Sequence, residues 1–440
     1  MKHTVIRIMM FMIVALGLAG ITGRPLEGAS PIWAPPALNQ LIEEGLAESK
    51  EIHSLVATLE SLREEIPFAG SLDDPRLGIG LLNVPTNTFD LDQEPMTQKQ
   101  IFVAQKVPWF GKLSLREQRQ ALRVSQQLAI VEAKRLELSR KIATVYYELG
   151  FIASSQDINR RLTEMVNEIL KVAETRYATG KGLQQDVLQA QVELSKLIGE
   201  EIMLKKERRT LEDRINELLS RESFTPVVPP KDMIFPDMSL EVESLKVQSL
   251  EQNAWLKIRQ AAVDQAYVEI ELAKKDYWPD MDFRVAYGQR EESLMGVDRP
   301  DFLSASVMIN LPLWKKNRQD KKLSATKKGH EAAEKFYMSM RDALPHRVDA
   351  LVTDILDTQE NYRLFSDALL LQAEQWAQSS LSAYVVDKVE FSTMINAHIR
   401  LLQFELKSKR YLFSIYQKRA ELEEVLGGPL ESLSVKGKDE

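Results

Sequence analysis

Val107-Pro108-Trp109-Phe110-Gly111-Lys112 returns as Leu311-Pro312-Leu313-Trp314-Lys315-Lys316, 204 residues later. Asp74-Pro75 returns as Trp278-Pro279 with the same shift. Tyr177-Ala-Thr-Gly-Lys181 returns as Tyr384-Val-Val-Asp-Lys388, and Ala190 as Ala397, with a shift of 207. The chain of 440 residues therefore holds one unit of about 200 residues twice, far above the periods of about 20–50 residues that mark solenoids. The three additional residues fall between Pro312 and Tyr384, where the long helix of the second half is expected.

Around the motif the hydrophobic period changes. From Lys112 no proline occurs until Pro226, and Leu, Ala, Glu, Gln, Lys and Arg, all strong helix formers, dominate. Leu128, Val131, Leu138, Ile142, Val145 and Leu149 keep three- and four-residue steps. Helices are expected from Leu38 to Glu65, ending near Pro67 and Gly70, from Lys112 to Thr179, and from Leu183 to Arg221. In the second half they run from Leu245 to Tyr277, Gln319 to Val386 (kinked at Pro345) and Glu390 to Leu426. A helix over 112–179 is roughly 100 Å long and needs partners along its length, as coiled-coil packing supplies.

Ahead of each motif the period is two. Leu77, Ile79 and Leu81 alternate with Gly78, Gly80 and Leu82, and Ile101, Val103 and Val107 with Phe102, Ala104 and Lys106. Met281, Phe283, Val285 and Tyr287 face one way, and Leu303, Ala305, Val307, Ile309 and Leu311 repeat the pattern. A half-buried sheet over a soluble core is one reading. A membrane strand set is the other, for two reasons. Trp109, Phe110, Tyr277, Trp278 and Trp314 gather at the helix-side end, where an aromatic girdle sits. At the opposite end, the connections from Pro85 to Gln98 and from Gly288 to Asp301 are long and polar. Four strands cannot close a barrel and open edges do not survive in hydrocarbon, so insertion requires oligomers: a trimer gives about twelve strands, a dimer about eight.

The fold class is thus mainly α with a small β part: duplicated long α-hairpins plus two strand pairs. The segments are a signal peptide over 1–29, a first repeat over 30–222, a linker over 223–238, a second repeat over 239–430 and a polar tail over 431–440. Lys2, His3 and Arg7 precede the apolar run Ile8 to Ile21, which has the length of a signal core; Ala19, Gly23 and Ala29 all suit cleavage. With 57 Lys and Arg against 64 Asp and Glu, the net charge of −7 disfavours nucleic acid as a partner. Cysteine is absent, which removes disulfides and thiolate metal sites. Five histidines, His3, His53, His330, His346 and His398, show no metal-ligand spacing, and Met308, Met338 and Met340 read as packing. No nucleophile–base pair or phosphate loop is evident, so neither an enzyme nor a resident cofactor is expected.

Gln105-x-x-Pro108-x-x-Gly111-Lys112, and Arg176-Tyr177-x-x-Gly180 followed by Asp186-Val187-Leu188-x-Ala190-Gln191, resemble the TolC-like outer-membrane efflux proteins. Leu183 and Gln184 stand where that family usually has Ser or Thr. The run from Asp90 to Gln100 resembles loops of its heavy-metal, CusC- and CzcC-like, branch. The resemblance implies a homotrimer with a 12-stranded transmembrane barrel in outer-membrane lipid and a periplasmic helical tunnel. It implies an exit duct, possible cargo including metal cations, that docks on a periplasmic adaptor protein and an inner-membrane RND-type pump. A periplasmic coiled-coil adaptor or scaffold without a channel is the alternative.

On that resemblance the periplasmic tips and gate comprise Arg176, Tyr177, Gly180, Gly182, Asp186, Tyr384, Asp387 and Glu390. Asp186 has two readings, as part of an acidic entrance ring that favours cations and as an early-helix carboxylate stabilised by the helix dipole. The tyrosines read either as latches or as packing. Asp186→Asn combined with Glu390→Gln should lower single-channel cation selectivity in lipid bilayers; unchanged selectivity would remove both from the gate.

Overall fold

The computed structural model describes residues 32–230, 233–236, 238, 240–293 and 295–430. The expected signal peptide and polar tail lie outside the described residues. The protein is mainly helical, 69%, with a small antiparallel sheet. The first half contains α1 (Pro36–Glu48), α2 (Lys50–Gly70), β1 (Arg76–Leu82), β2 (Gln98–Val107), α3 (Lys112–Ala178) and α4 (Gln184–Leu218). The second contains α5 (Val242–Gln252), α6 (Ala254–Lys275), β3 (Met281–Gln289), β4 (Phe302–Ile309), α7 (Gln319–Arg363), α8 (Leu370–Val385) and α9 (Phe391–Leu426). A π-helical turn, Leu364–Leu369, joins α7 to α8.

Two expectations are corrected. The first is the helix over 38–65, which is two helices parted at Ser49, whose backbone is extended. Asn253 parts α5 from α6 at the equivalent place, 204 residues on, and its side chain accepts the Leu256 amide at 2.9 Å, an N-cap that starts the second helix. The end of α2 at Gly70 falls as expected, and Pro67 lies inside its last turn at the loss of one backbone hydrogen bond. Pro345 also lies inside a helix, α7, with Leu344 and Val348 buried on either side. A π turn follows at Leu364–Leu369. The second correction concerns the three additional residues, which do not lie in the long helix. Lys112–Ala178 and Gln319–Val385 keep the 207 spacing at both ends, so the insertion falls between Pro312 and Gln319, in a turn.

The described chain forms two compact units: residues 32–49, 135–242 and 349–430, and residues 50–134 with 243–348. The second unit carries the sheet. Its helices meet through the small residues Ala129, Ala133 and Ala254, packed with Ile258. Gln120 and Gln127 donate to the carbonyls of Leu62 and Leu55, at 3.1 and 3.0 Å.

The first unit is all helical. Ile142, Leu149, Ile152, Ile215 and Ile395 are almost wholly buried. The proline-rich connection between repeats is strapped down in it. Phe235 stacks on Tyr362 at 4.7 Å, Tyr416 donates to the Ile234 carbonyl at 2.6 Å, and Gln359 to the Pro236 carbonyl at 2.8 Å.

Glu423 is the polar centre of this unit. It has no solvent exposure. It accepts from the Trp33 amide at 3.0 Å, the Leu430 amide at 3.2 Å and Arg419 Nε at 3.1 Å. Arg419 lies over the Trp33 ring, which stacks on Tyr416. Burial pushes the Glu423 carboxyl above its usual range, against the pull of Arg419 and the amides. The folded state therefore holds a proton there more readily than the unfolded chain. This contribution favours folding at mildly acidic pH and fades as pH rises through the raised value. Glu423→Gln should remove that part of the pH dependence of thermal unfolding. Glu423→Ala, which strands a buried cation and two amides, should cost about 3 kcal/mol, seen as faster hydrogen exchange at Trp33 and Leu430.

Candidate functional site

The four strands form one antiparallel sheet in the order β1-β2-β3-β4, not two separate pairs. Leu77 pairs with Val103, Val103 with Val285, Ile101 with Tyr287, and Phe283 with Val307. The register carries one apolar phase across all four strands, as a period of two requires. That phase is uncovered: Leu77 is 70% exposed, Ile79 82% and Leu303 78%. The soluble reading, in which the sheet lays this face over a core, does not describe the sheet.

The opposite face is polar. Arg76 pairs with Asp282, and Arg284 donates to Gln100 at 2.8 Å with its guanidinium 3.7 Å from the centre of the Phe102 ring. Phe102 fits because its neighbour across the strands is Gly78, where a Cβ would come within 2.3 Å of the ring. Within the described residues β1 and β4 have no further strand partner, so both edges carry unpaired backbone groups.

At the loop end, two arginines that sequence reasoning missed tie the connections together. Arg290 donates to the carbonyls of Pro300 and Pro95, at 2.7 and 3.1 Å, and Arg299 to those of Asp92 and Glu94, both at 3.2 Å. Main-chain carbonyls as acceptors leave no pattern in a sequence.

At the helix end three of the aromatic residues, Trp109, Phe110 and Trp278, are in ring contact. Trp109 stacks on Trp278 at 5.0 Å and meets Phe110 edge-on; Tyr277 donates to Asp320. Phe110, Trp278 and Trp314 are exposed. Below them lies a clamp found only in the structure. Lys112, 7% exposed, reaches Asp280 at 2.9 Å and Asp276 at 3.2 Å, and Asp280 also accepts the Trp109 amide at 2.9 Å.

The helical unit holds the tip residues. Gly180 caps α3 with φ +74°, a left-handed position where glycine has no steric cost. The equivalent residue 207 places on is Asp387, also left-handed at φ +58°. An aspartate there costs about 1–2 kcal/mol relative to glycine. Its carboxylate, however, is the partner of Arg176. Arg176 also donates to the Tyr384 carbonyl at 3.2 Å and the Lys181 carbonyl at 3.3 Å, and its guanidinium lies 4.8 Å from the centre of the Tyr384 ring. One side chain thus binds the ends of both repeats.

Tyr384 is buried, 5% exposed, in a core of Ile169, Ala173, Ala190, Phe391, Met394 and Ile395. Burial, then the nearby Asp186 charge, raises its phenol above the usual range. Among the described residues its hydroxyl has no hydrogen-bond partner. Tyr177, half exposed, stands outside this core. Gly182 lies against the Arg176 backbone, Asp186 is in the first turn of α4, and Glu390 caps α9 and accepts from Ser392 at 3.3 Å. The structure therefore joins Arg176, Tyr384 and Asp387, sets Asp186 beside them, and leaves Tyr177 and Glu390 outside the cluster.

No described helix is long and apolar enough to cross a membrane, a statement that does not bear on strands. Residues 41–221 match the family described as Outer membrane efflux protein. Comparison with curated proteins finds no match. Among solved structures, the chain is similar to the outer membrane protein VceC of Vibrio cholerae, with 19% identity, a TM-score of 0.76, and coverage of 90% of this chain and 97% of that one. It is similar to the outer-membrane channel OprN, with 17% identity, a TM-score of 0.76 and coverage of 93% and 98%. For CusC, described by its transmembrane channel formation, the values are 13%, 0.75, 92% and 98%. At these identities the likeness is one of fold.

Asp387→Gly tests how the second tip is held. It relieves about 1–2 kcal/mol of backbone strain and removes a half-exposed ion pair, in which Asp387 faces solvent and Arg176 is mostly covered, worth about 1 kcal/mol. Thermal stability should therefore change by no more than about 1 kcal/mol, while trypsin should cut after Arg176 and Lys181 severalfold faster. Unchanged cutting would show that Arg176 is held by the carbonyls alone.

Proposed function

We propose that the chain is the outer-membrane exit duct of a tripartite efflux system, acting as a homotrimer and not as an enzyme. The observation that carries this reading is the uncovered apolar phase of the sheet, bounded by aromatic residues at one end and arginine-tied polar loops at the other. A sheet of this kind suits hydrocarbon only when its edges are closed. Three copies, each pairing its β4 with the β1 of the next, supply twelve strands and leave the Arg76, Arg284 and Asp282 face around a polar lumen. The family match over residues 41–221 and the fold shared with outer-membrane channels support the same reading.

In this duct the helical unit forms the periplasmic part and receives cargo through a periplasmic adaptor from an inner-membrane RND-type pump. Arg176, Tyr384 and Asp387 hold the two tips of one chain together and keep the entrance narrow. Asp186 and Glu390 bring negative charge to the same end and favour cations. The Asp90–Gln100 loop favours a metal-exporting branch. The fold itself does not separate the branches, since VceC, OprN and CusC match it equally well.

The purified protein should be a detergent-extracted trimer from the outer-membrane fraction that conducts ions in planar bilayers. Val285→Arg, centred on the outward face, should cost about 2–4 kcal/mol and block insertion, whereas Ser304→Arg on the lumen face should insert normally. A monomer that washes off membranes in salt would favour the adaptor reading instead.

A further inference from the structure

The two repeats end their sheets differently. In the first, Val107 leads through Pro108, Trp109, Phe110 and Gly111 straight into α3, and the lysine there, Lys112, is buried and bound by two aspartates. In the second, the three inserted residues make room for a turn over 313–318, closed by the amides of Asn317 and Arg318 on the Trp314 carbonyl at 3.2 and 3.1 Å. On this turn Leu311, Leu313 and Trp314 are 62%, 73% and 78% exposed. They carry on the uncovered apolar phase of β4, whose last outward residue is Ile309.

Lys315, Lys316, Arg318 and Lys321 follow at once, all exposed. Among the described residues none of the four makes an ion pair or a side-chain hydrogen bond. The acids around them are taken: Asp320 by Tyr277, and Asp276 by Lys322 and Lys112. An apolar edge that passes within a few residues into unpaired cations matches the boundary between acyl chains and anionic headgroups. Trp314 sits at the boundary, and the long lysine stems reach across it.

We propose that this turn binds anionic glycerophospholipid, phosphatidylglycerol or cardiolipin, in the leaflet at the helix end of the sheet. The inference rests on the membrane-duct reading and adds to it a lipid preference confined to the second repeat. Each cation at an anionic surface contributes about fivefold in affinity. The first repeat, with its lysine committed to aspartates, contributes nothing comparable.

The test uses the full-length protein in detergent, titrated with dioleoylphosphatidylglycerol or dioleoylphosphatidylcholine and followed by native mass spectrometry, which counts bound lipids and reads the oligomeric state. The wild type should take phosphatidylglycerol at least about fivefold more tightly. The variant Lys315→Gln/Lys316→Gln/Arg318→Gln/Lys321→Gln should lose that preference and remain assembled. Lys328→Gln/Lys335→Gln, farther along α7, should keep it. Equal binding of the two lipids by the wild type would overturn the proposal, as would a preference surviving in the fourfold variant or lost in the control. Dissociation of the fourfold variant would also overturn it and assign these cations to a contact between copies. Conductance of the same preparation in planar bilayers separates the two readings. A conducting protein without lipid preference sinks only the lipid site; one that binds the lipid and never conducts sinks the duct.

Discussion

A β-strand sends alternate side chains to opposite faces, and the sheet here obeys one register across all four strands. Every architectural feature of the sheet unit follows from that alternation. A slip of one residue in β3 would put Arg284 and Asp282 beside Val103 and Val307, and a slip between β1 and β2 would leave Phe102 without the Gly78 gap that accepts it. The register is held at both ends by polar contacts. Lys112 with Asp280 and Asp276 fixes the helix end, and Arg290 and Arg299 fix the loop end. Both sets spare the outward face, which stays wholly apolar through its centre.

The helical unit solves a different problem, that of ending long helices. Charged and amide groups are placed where backbone groups would otherwise go unpaired: Arg176 on the carbonyls at the tips, Glu423 on the amides of Trp33 and Leu430. Each is more buried than the ion pairs scattered along the helix surfaces, such as Lys196 with Glu193, which are worth little in water. The few buried charges are therefore the ones that determine how chain segments meet.

Much of this was legible in the residues. Periods of two and near 3.6 located the four strands and the two long hairpins to within a few positions, because apolar periodicity is a direct image of burial on one side. The tip cluster was partly legible: Arg176, Tyr384 and Asp387 were singled out, but sequence did not show that one arginine joins them. The breaks at Ser49 and Asn253 were missed because the apolar steps continue across them. The position of the inserted residues was misread because the two motifs align on Pro108 and Pro312, whereas the helices align on Lys112 and Gln319. Contacts to main-chain carbonyls, as at Arg290 and Arg299, depend on where loops pass and have no signature in residue type.

The left-handed residue at the end of each long helix is glycine in one repeat and aspartate in the other. In the proposed trimer, three chains present six nearly equivalent hairpin ends, an arrangement of almost sixfold symmetry. Asp387 reduces that order to three. Arg176, at the glycine-capped end, has its charge answered by the aspartate of the other end of the same chain. The twofold likeness of the repeats thus stops at the tip, where the Arg176–Asp387 contact makes the two hairpins of one chain a pair.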